Sequence, residues 1–197
     1  MKVGLYFGSF NPIHIGHLII AAYMADHTDV DEVWFVVSPQ NPFKNPAGLL
    51  NQQHRLSLVQ LAIENVPKLK ASNVEFKLPK PSYTVDTLTY LKEQHPTKTF
   101  TIIMGSDGFQ NIDKWKNYQT ILDNYSIYIY NRPGFAVTKY LSDTIKIIDA
   151  PLLEISSTMI RKNIKEHRSI RFYVPDVVYD EIMEKGYYQS NLENPTE

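Results

Sequence analysis

The sequence has no cysteine among its 197 residues. This absence excludes disulfide bonds, thiolate metal sites and a cysteine nucleophile, and it agrees with a reducing cytoplasm. A long apolar run near the N-terminus is also missing, because the run from Val3 to Phe7 is broken at Gly8. Such a run is too short for a signal peptide or a membrane span. We therefore expect a soluble cytoplasmic protein with no membrane partner.

An excess of either charge is missing too, since 20 Lys and Arg residues face 21 Asp and Glu residues. A balanced charge gives no reason to expect a nucleic-acid partner. Phosphate recognition, if present, must come from a few placed side chains and backbone amides. The length predicts one domain, which we place at residues 1–190, followed by a frayed polar tail at 191–197.

Short apolar runs that alternate with helical periodicity indicate the fold class. Four runs rich in β-branched and aromatic residues predict strands that are covered on both faces: Val3 to Phe7, Val33 to Val37, Phe100 to Met104 and Ser126 to Tyr130. Helical spacing predicts the segments between and after them: Leu18 to Met24, Leu56 to Val66, Val85 to Leu91 with Ser82 and Thr84 as caps, Ser156 to Lys165 and Asp176 to Lys185. This alternation is typical of a βαβ architecture with a parallel sheet.

The segment from Gly8 to His17 lies between the first predicted strand and its helix. The carboxyl end of such a strand, with the free amides of the next helix, is a favourable site for an anion. Gly8 allows close backbone approach to a ligand or a positive φ. His14 and His17 are three residues apart, so their rings could lie on the same side and donate to phosphoryl oxygens.

Other interpretations of this segment stay open on spacing alone. A single histidine near a helix start is often a cap or a surface residue. Two histidines could also bind zinc, but no third protein ligand is evident nearby. The segment has neither the G-x-G-x-x-G spacing of dinucleotide-binding folds nor the Gly-Lys-Ser/Thr of a Walker loop. We therefore predict phosphate binding without a protein metal site.

A second candidate phosphate site lies far along the chain, where three hydroxyl residues begin a helix and Arg161 follows one turn later. These residues are Ser156, Ser157 and Thr158. Hydroxyls and free amides hold phosphate oxygens, and a guanidinium can bind two of them at once. The alternative is an ordinary capped helix with a solvent-facing arginine.

Two central segments suit a flat, acidic ligand. Tyr83 and Thr84 begin a helix with a hydroxyl and exposed amides, which suits a carboxylate. Gly105 and Asp107 end a predicted strand, and Trp115 follows; the aspartate could accept from ribose hydroxyls while the indole stacks on a ring. The alternatives are a capped helix, a capping aspartate and a core tryptophan.

The first turn, with its H-x-G-H sequence, and the I-S-S-T-x-I-R sequence from Ile155 to Arg161 resemble the nucleotidylyltransferase superfamily. That resemblance implies an α/β, Rossmann-like open, mostly parallel sheet with helices on both faces. It also implies transfer of a nucleotidyl group from a nucleoside triphosphate. The motifs lie at opposite ends of the chain, as in that superfamily.

The P-S-Y-T-x-D-T-L stretch from Pro81 to Leu88 is similar to nicotinate mononucleotide adenylyltransferases. The G-x-D with its later Trp115, the R-P-G at Arg132 and the closing stretch from Ile170 to Tyr188 follow the same pattern. The resemblance implies adenylyl transfer from ATP to nicotinate mononucleotide in NAD biosynthesis, with Mg²⁺ carried by the ATP phosphates.

The resemblance also implies roles for individual residues. His14, His17, Lys44 and Arg161 would be catalytic. The residues implied in ATP binding are Gly8, Ser9, Phe10, His14, His17, Gly105, Asp107, Arg132, Ser156, Ser157, Thr158 and Arg161. Those implied in nicotinate mononucleotide binding are Lys44, Tyr83, Thr84 and Trp115. The chain departs from the family at Asn11, where Asp is usual, and at Phe43, where His is common.

Several alternatives remain at this point. The acceptor could be nicotinamide mononucleotide or a phosphopantetheine, although the second leaves the segment from Tyr83 to Leu88 unexplained. A non-catalytic nucleotide sensor and a fragment of a class I aminoacyl-tRNA synthetase are two further alternatives; the chain is short and not basic, and it has no K-M-S-K-S-like loop. A homo-oligomer is compatible with the sequence, which does not fix the oligomeric state.

Overall fold

A computed structural model describes residues 1–40 and 48–189. Within these residues, six strands form one parallel sheet: β1 (Lys2–Gly8), β2 (Glu32–Val37), β3 (Leu69–Ser72), β4 (Thr99–Gly105), β5 (Ser126–Tyr130) and β6 (Ile145–Ile148). Seven α-helices accompany them in the same part of the chain: α1 (Ile15–His27), α2 (Gln52–Ile63), α3 (Thr84–Gln94), α4 (Ser106–Phe109), α5 (Tyr118–Asn124), α6 (Ser157–Lys165) and α7 (Asp176–Lys185). Two 3₁₀ turns span Val74–Lys77 and Ile112–Lys114.

The strand order β3-β2-β1-β4-β5-β6 confirms the predicted Rossmann-like sheet. The order reverses between β1 and β4, which pair directly with each other. In open parallel sheets, a crevice forms at the carboxyl ends of the strands where the order reverses. The first turn after β1 and the residues after β4 therefore lie at the same crevice.

Helices cover both faces of the sheet, as predicted, and strand residues alternate between two hydrophobic cores. Val3 and Leu5 of β1 pack into the core that contains α3 and α5, whereas Tyr6 packs into the core that contains α1, α2, α6 and α7. Successive side chains of a strand point to opposite faces. The continuous apolar run of β1 therefore supplies both cores.

Three details of the predicted elements are wrong. The two edge strands, β3 and β6, were not predicted, because each has four residues and carries a lysine that interrupts the apolar run. The helix predicted from Leu56 to Val66 ends at Ile63, and Val66 is exposed. Ser82 and Thr84 do not cap α3, since Tyr83 is its N-cap residue and makes no side-chain capping bond.

Among residues 1–40 and 48–189, no helix is long and apolar enough to cross a membrane. The tail predicted at 191–197 lies outside the described residues. The prediction of a single domain at 1–190 stays a prediction.

A fully buried arginine on α2 joins segments that surround the crevice. The Arg55 side chain donates to the carbonyl oxygens of Leu50 (2.8 Å), Ser9 (2.5 Å), Ser38 (2.8 Å) and Pro39 (3.1 Å). Burial lowers the pKa of Arg55 to about 10, so the guanidinium remains charged at neutral pH. Since all of these contacts are to backbone atoms, the side chain fixes the course of the chain around the crevice.

We expect Arg55→Lys to lower the free energy of unfolding by about 3 kcal/mol, because an ammonium cannot reach four carbonyl groups and each unsatisfied buried acceptor costs about 1–3 kcal/mol. Chemical denaturation followed by circular dichroism measures this loss. Arg168→Lys is the control, since Arg168 is exposed. Equal stability of the two variants would contradict the role given to Arg55.

Candidate active site

The crevice at the β1–β4 reversal contains a cavity of about 540 Å³. All the site residues predicted from the sequence line this cavity, except Lys44, which lies outside the described residues: Gly8, Ser9, Phe10, His14, His17, Tyr83, Thr84, Gly105, Asp107, Trp115, Arg132, Ser156, Ser157, Thr158 and Arg161. The structure thus brings together motifs from both ends and the middle of the chain.

The first turn is shaped by Phe10. Its backbone φ is 45°, a left-handed conformation that is uncommon for residues other than glycine, and its side chain is buried. A Cβ atom on Gly8 would lie 2.7 Å from the Phe10 ring. The sequence predicted that Gly8 allows close approach to a ligand or a positive φ. Gly8 does not have the positive φ, which in this turn belongs to Phe10, and the approach of a ligand to Gly8 stays a prediction.

The two histidines lie side by side at the start of α1. His14 is the N-cap residue, and its Nδ1 accepts from the backbone N–H of His17 at 3.4 Å. The imidazole rings stack with centroids 3.6 Å apart, so both lie on one side, as their spacing predicts. The edges of Tyr6 and Phe10 also pack against His17.

Burial, together with the nearby charge of Arg132, lowers the pKa of His14 to about 4. Its Nδ1 already accepts a hydrogen bond, so the neutral ring carries its proton on Nε2. At neutral pH His14 is therefore a neutral imidazole with one N–H available to donate. Such a donor stabilises a developing phosphoryl charge without a fixed positive charge of its own.

The residues at the start of α6 hold the first turn. Ser157 Oγ donates to the Pro12 carbonyl oxygen at 2.9 Å, and Arg161 Nη1 donates to the Asn11 carbonyl oxygen at 2.7 Å. Arg161 Nη2 also lies 3.3 Å from Thr158 Oγ1. Ser156 caps α6 by accepting from the Met159 N–H. The Ser156 cap was predicted from the sequence, but the contacts of Ser157 and Arg161 with the first turn were not. These contacts join the two candidate phosphate sites into one surface.

Asp107 and Arg132 face each other across the cavity rim. Asp107 follows β4, Arg132 follows β5, and Arg132 Nε lies 3.9 Å from Asp107 Oδ1. The Arg132 guanidinium also lies 5.6 Å from the centre of the Tyr130 ring. The cavity rim therefore carries one cation, Arg132, and one anion, Asp107, and both side chains are partly exposed.

Ser82, Tyr83, Thr84 and Trp115 form another part of the cavity lining, which we call the acceptor wall. The first two precede α3, and Thr84 begins it. Trp115 is partly buried, packs against the core that contains α3 and α5, and also lines the cavity. Sequence reasoning missed Lys116, whose Nζ lies 4.9 Å from the centre of the Tyr83 ring.

Three further residues near the cavity were missed because their partners are distant in sequence. Asn11 was noted only as a departure from the family. Its Oδ1 accepts from the Leu50 N–H and from the Tyr188 hydroxyl, while its amide donates to the Gly48 carbonyl oxygen. An aspartate could not donate that last bond. Arg55 and Glu75 were not singled out at all.

Comparisons with known proteins agree on one family. Residues 5–163 match the cytidylyltransferase-like family model. A curated relative from Cytophaga hutchinsonii, named "Probable nicotinate-nucleotide adenylyltransferase", is 50% identical over 96% of this chain and 100% of its own length. A relative of the same name from Bacteroides fragilis is 45% identical over 93% of this chain and 92% of its own length. The chain belongs to the nicotinate-nucleotide adenylyltransferase family.

A solved structure supports the same assignment. Nicotinic acid mononucleotide adenylyltransferase from Plasmodium falciparum, complexed with NaAD, has a TM-score of 0.82 and 25% identity, and the match covers 98% of this chain and 99% of that one. Membership of the nicotinate-nucleotide adenylyltransferase family confirms the resemblance seen in the sequence. It does not favour the alternative acceptors, the nucleotide sensor or the synthetase fragment.

The pKa of His14 predicts a pH dependence of the stability of this protein. The folded pKa of about 4 lies below the usual histidine value of 6.5, so the unfolded chain binds the proton more readily between these pH values. The free energy of unfolding should therefore rise by roughly 3 kcal/mol as pH increases from about 4 to 6.5, then stay level with respect to this group.

We expect His14→Asn to flatten this rise, because asparagine can keep the capping acceptor but does not titrate. Denaturant unfolding at several pH values measures the slope. His27→Asn is the control, because it removes a histidine at the other end of α1 and the pH dependence of its unfolding free energy can be compared directly. An unchanged slope in His14→Asn would contradict the assignment.

Proposed function

We propose that this chain transfers the adenylyl group of ATP to nicotinate mononucleotide, giving deamido-NAD and pyrophosphate. One observation carries the proposal: both candidate phosphate sites and the acceptor wall line a single cavity at the sheet reversal. Such a cavity can hold a triphosphate and a second nucleotide together. The sequence and structural relatives support the choice of acceptor.

On the nucleotide side, we propose that the ATP phosphates lie between the first turn and the start of α6. His14 and His17 would donate to phosphoryl oxygens, and Arg161 would use its remaining N–H groups on the same oxygens. Arg161 is held in place by Asn11 and Thr158, so little of its side-chain freedom remains to be lost on binding. Asp107 would accept from the ribose hydroxyls, and Arg132 would lie near the nucleotide.

On the acceptor side, the nicotinate carboxylate would bind Thr84 and the backbone near Trp115. The N-terminus of α3 favours a negative group there, since no side chain caps it. The indole of Trp115 would pack on the pyridine ring. Lys44, which lies outside the described residues, would contact the phosphates.

The reaction needs no protein base. An oxygen of the mononucleotide 5′-phosphate attacks the α-phosphorus of ATP, and the bond from that phosphorus to the bridging oxygen of pyrophosphate breaks. The nucleophile is already an anion at neutral pH, so catalysis comes from alignment and from stabilising charge on the pentavalent phosphorus and the leaving group.

A divalent ion would neutralise part of the phosphate charge, and we propose Mg²⁺. In residues 1–40 and 48–189, no three His, Asp or Glu side chains form a group that could hold a metal ion. The cavity lining instead presents imidazoles, hydroxyls and guanidinium groups, together with the separate carboxylates of Asp107 and Glu75. The ion would therefore be held mainly by ATP oxygens, as Mg²⁺ often is. We also propose that the enzyme works in the cytoplasm.

We expect His17→Ala to lower kcat by roughly a hundredfold or more, the usual cost of losing a transition-state donor. A pyrophosphate-release assay with ATP, Mg²⁺ and nicotinate mononucleotide measures this change. His167→Ala is the control, because His167 is exposed and does not line the cavity. A normal kcat in a folded His17→Ala enzyme would remove His17 from the mechanism.

We further expect a strong preference for nicotinate mononucleotide over nicotinamide mononucleotide. Amide donors at the start of α3 pair with a carboxylate but leave the NH₂ group of an amide without a partner. The measurement is kcat/KM for each mononucleotide at saturating ATP. Equal values would rule out the acid-specific assignment.

A further inference from the structure

A buried carboxylate borders the cavity behind the acceptor wall. Glu75 lies in the 3₁₀ turn Val74–Lys77, is only 2% exposed, and lines the cavity. No ion pair within the described part of the chain includes Glu75. The side chain is therefore a buried anion that hydroxyl groups, not cations, stabilise.

Three hydroxyl groups from two segments of the chain donate to this carboxylate. Ser82 Oγ lies 2.7 Å from Oε2, Thr87 Oγ1 lies 3.0 Å from Oε1, and the Ser38 hydroxyl donates as well. Ser38 follows β2, Ser82 precedes α3, and Thr87 belongs to the first turn of α3. One side chain thus ties the end of a central strand to the start of the helix that forms the acceptor wall.

The contacts of Glu75 lie on both sides, in the sequence, of Tyr83 and Thr84, the two residues of the acceptor wall at the start of α3. Ser82 immediately precedes Tyr83, and Thr87 Oγ1 also lies 3.3 Å from the Tyr83 carbonyl oxygen. The backbone N–H groups of Asp86 and Thr87 bond to that same oxygen. The path of the chain through Tyr83 and Thr84 is therefore fixed on both sides by groups that Glu75 holds.

Stability alone does not account for a carboxylate at this position. Burial disfavours the charged form and raises the pKa of Glu75, while its hydroxyl donors oppose that rise. A well-packed apolar side chain commonly stabilises such a site as well or better. The carboxylate does one thing that an apolar group cannot, which is to accept three hydrogen bonds at fixed directions.

We propose that Glu75 is a positioning residue for the acceptor: through Ser82 and Thr87 it sets the geometry of Tyr83 and Thr84, and thereby the affinity for the mononucleotide. This inference rests on the proposed function. The nucleotide side is held by other contacts, chiefly Arg161 to Asn11 and Ser157 to Pro12. Loss of the Glu75 carboxylate should therefore weaken acceptor binding and leave ATP binding almost unchanged.

The test is steady-state kinetics of Glu75→Gln with each substrate varied in turn. Glutamine keeps the shape but has one acceptor oxygen in place of two. We expect KM for nicotinate mononucleotide to rise about tenfold, as for one or two weakened hydrogen bonds, with KM for ATP within about twofold of the wild type. Glu32→Gln is the matched control, because Glu32 is a buried carboxylate at the start of β2, away from the cavity.

The control should change neither KM, even if it lowers stability. Equal rises in both KM values for Glu75→Gln, or no rise in the acceptor KM, would overturn the inference.

A double variant tests whether Glu75 acts through Ser82. Ser82→Ala alone should also raise the acceptor KM selectively, and the double variant should be no worse than the more affected single variant. Fully additive effects would overturn the proposed path. If Glu75→Gln does not fold, Ser82→Ala carries the test by itself, and an unchanged acceptor KM overturns the inference.

The wild type separates the two proposals. Without deamido-NAD formation from ATP and nicotinate mononucleotide in the wild type, the proposed function fails, and this inference fails with it. With wild-type activity but no selective effect at Glu75, only the positioning role fails.

Discussion

Ser157 and Arg161 donate hydrogen bonds to the carbonyl oxygens of Pro12 and Asn11, and the part of the cavity that we propose for ATP depends on these two contacts. The partners are 145 and 150 positions apart in the chain. Each segment alone is a common strand-to-helix turn or a common helix start. The backbone of the first turn holds the side chains at the start of α6, so the hydrogen-bond donors of both segments face the same part of the cavity. A phosphate chain could be bound there from both sides.

Buried charges of opposite sign support the two sides of that volume, and both contact Ser38. The carbonyl oxygen of Ser38 accepts from Arg55, and its hydroxyl donates to Glu75. Neither charge meets an oppositely charged side chain in these contacts. Carbonyl dipoles stabilise Arg55 and hydroxyl dipoles stabilise Glu75. Burying these groups has a desolvation cost, but the hydrogen bonds fix the orientation of both side chains. The strand end that carries Ser38 is therefore held from the α2 side and from the α3 side at once.

Much of the fold and most of the site could be predicted from the sequence for a physical reason. Strands that are buried on both faces have nearly continuous apolar runs, so the strand from Ser126 to Tyr130 was predicted to the residue. Ligand-binding residues of a parallel sheet follow the carboxyl ends of its strands, so motifs placed after predicted strands fell into one cavity. The edge strand β6 gave a weaker pattern, because only β5 pairs with it and its exposed positions tolerate lysine.

Residues that act through distant backbone atoms could not be predicted in this way. Nothing near Arg55 in the sequence indicates that its partners are carbonyl groups of Ser9 and Pro39, and a lone arginine on a helix is usually solvated. The role of Glu75 could not be predicted for the same reason, because its donors come from two other segments, the end of β2 and the start of α3. The prediction that Ser82 caps α3 is wrong for a related reason. A serine before a helix usually caps it, but here the hydroxyl donates to Glu75.

The neutral state of His14 affects how strongly the cavity attracts small anions. Arg132 lies beside Asp107, part of the Arg161 fork is occupied by Asn11, and the imidazole adds no net charge. A neutral N–H attracts an anion only at contact distance, so stray sulfate or inorganic phosphate gains little from entering. A nucleotide that reaches every donor at once gains from all of them. Such an arrangement would favour a ligand that reaches all of these donors over ambient salts, which would compete poorly for the site.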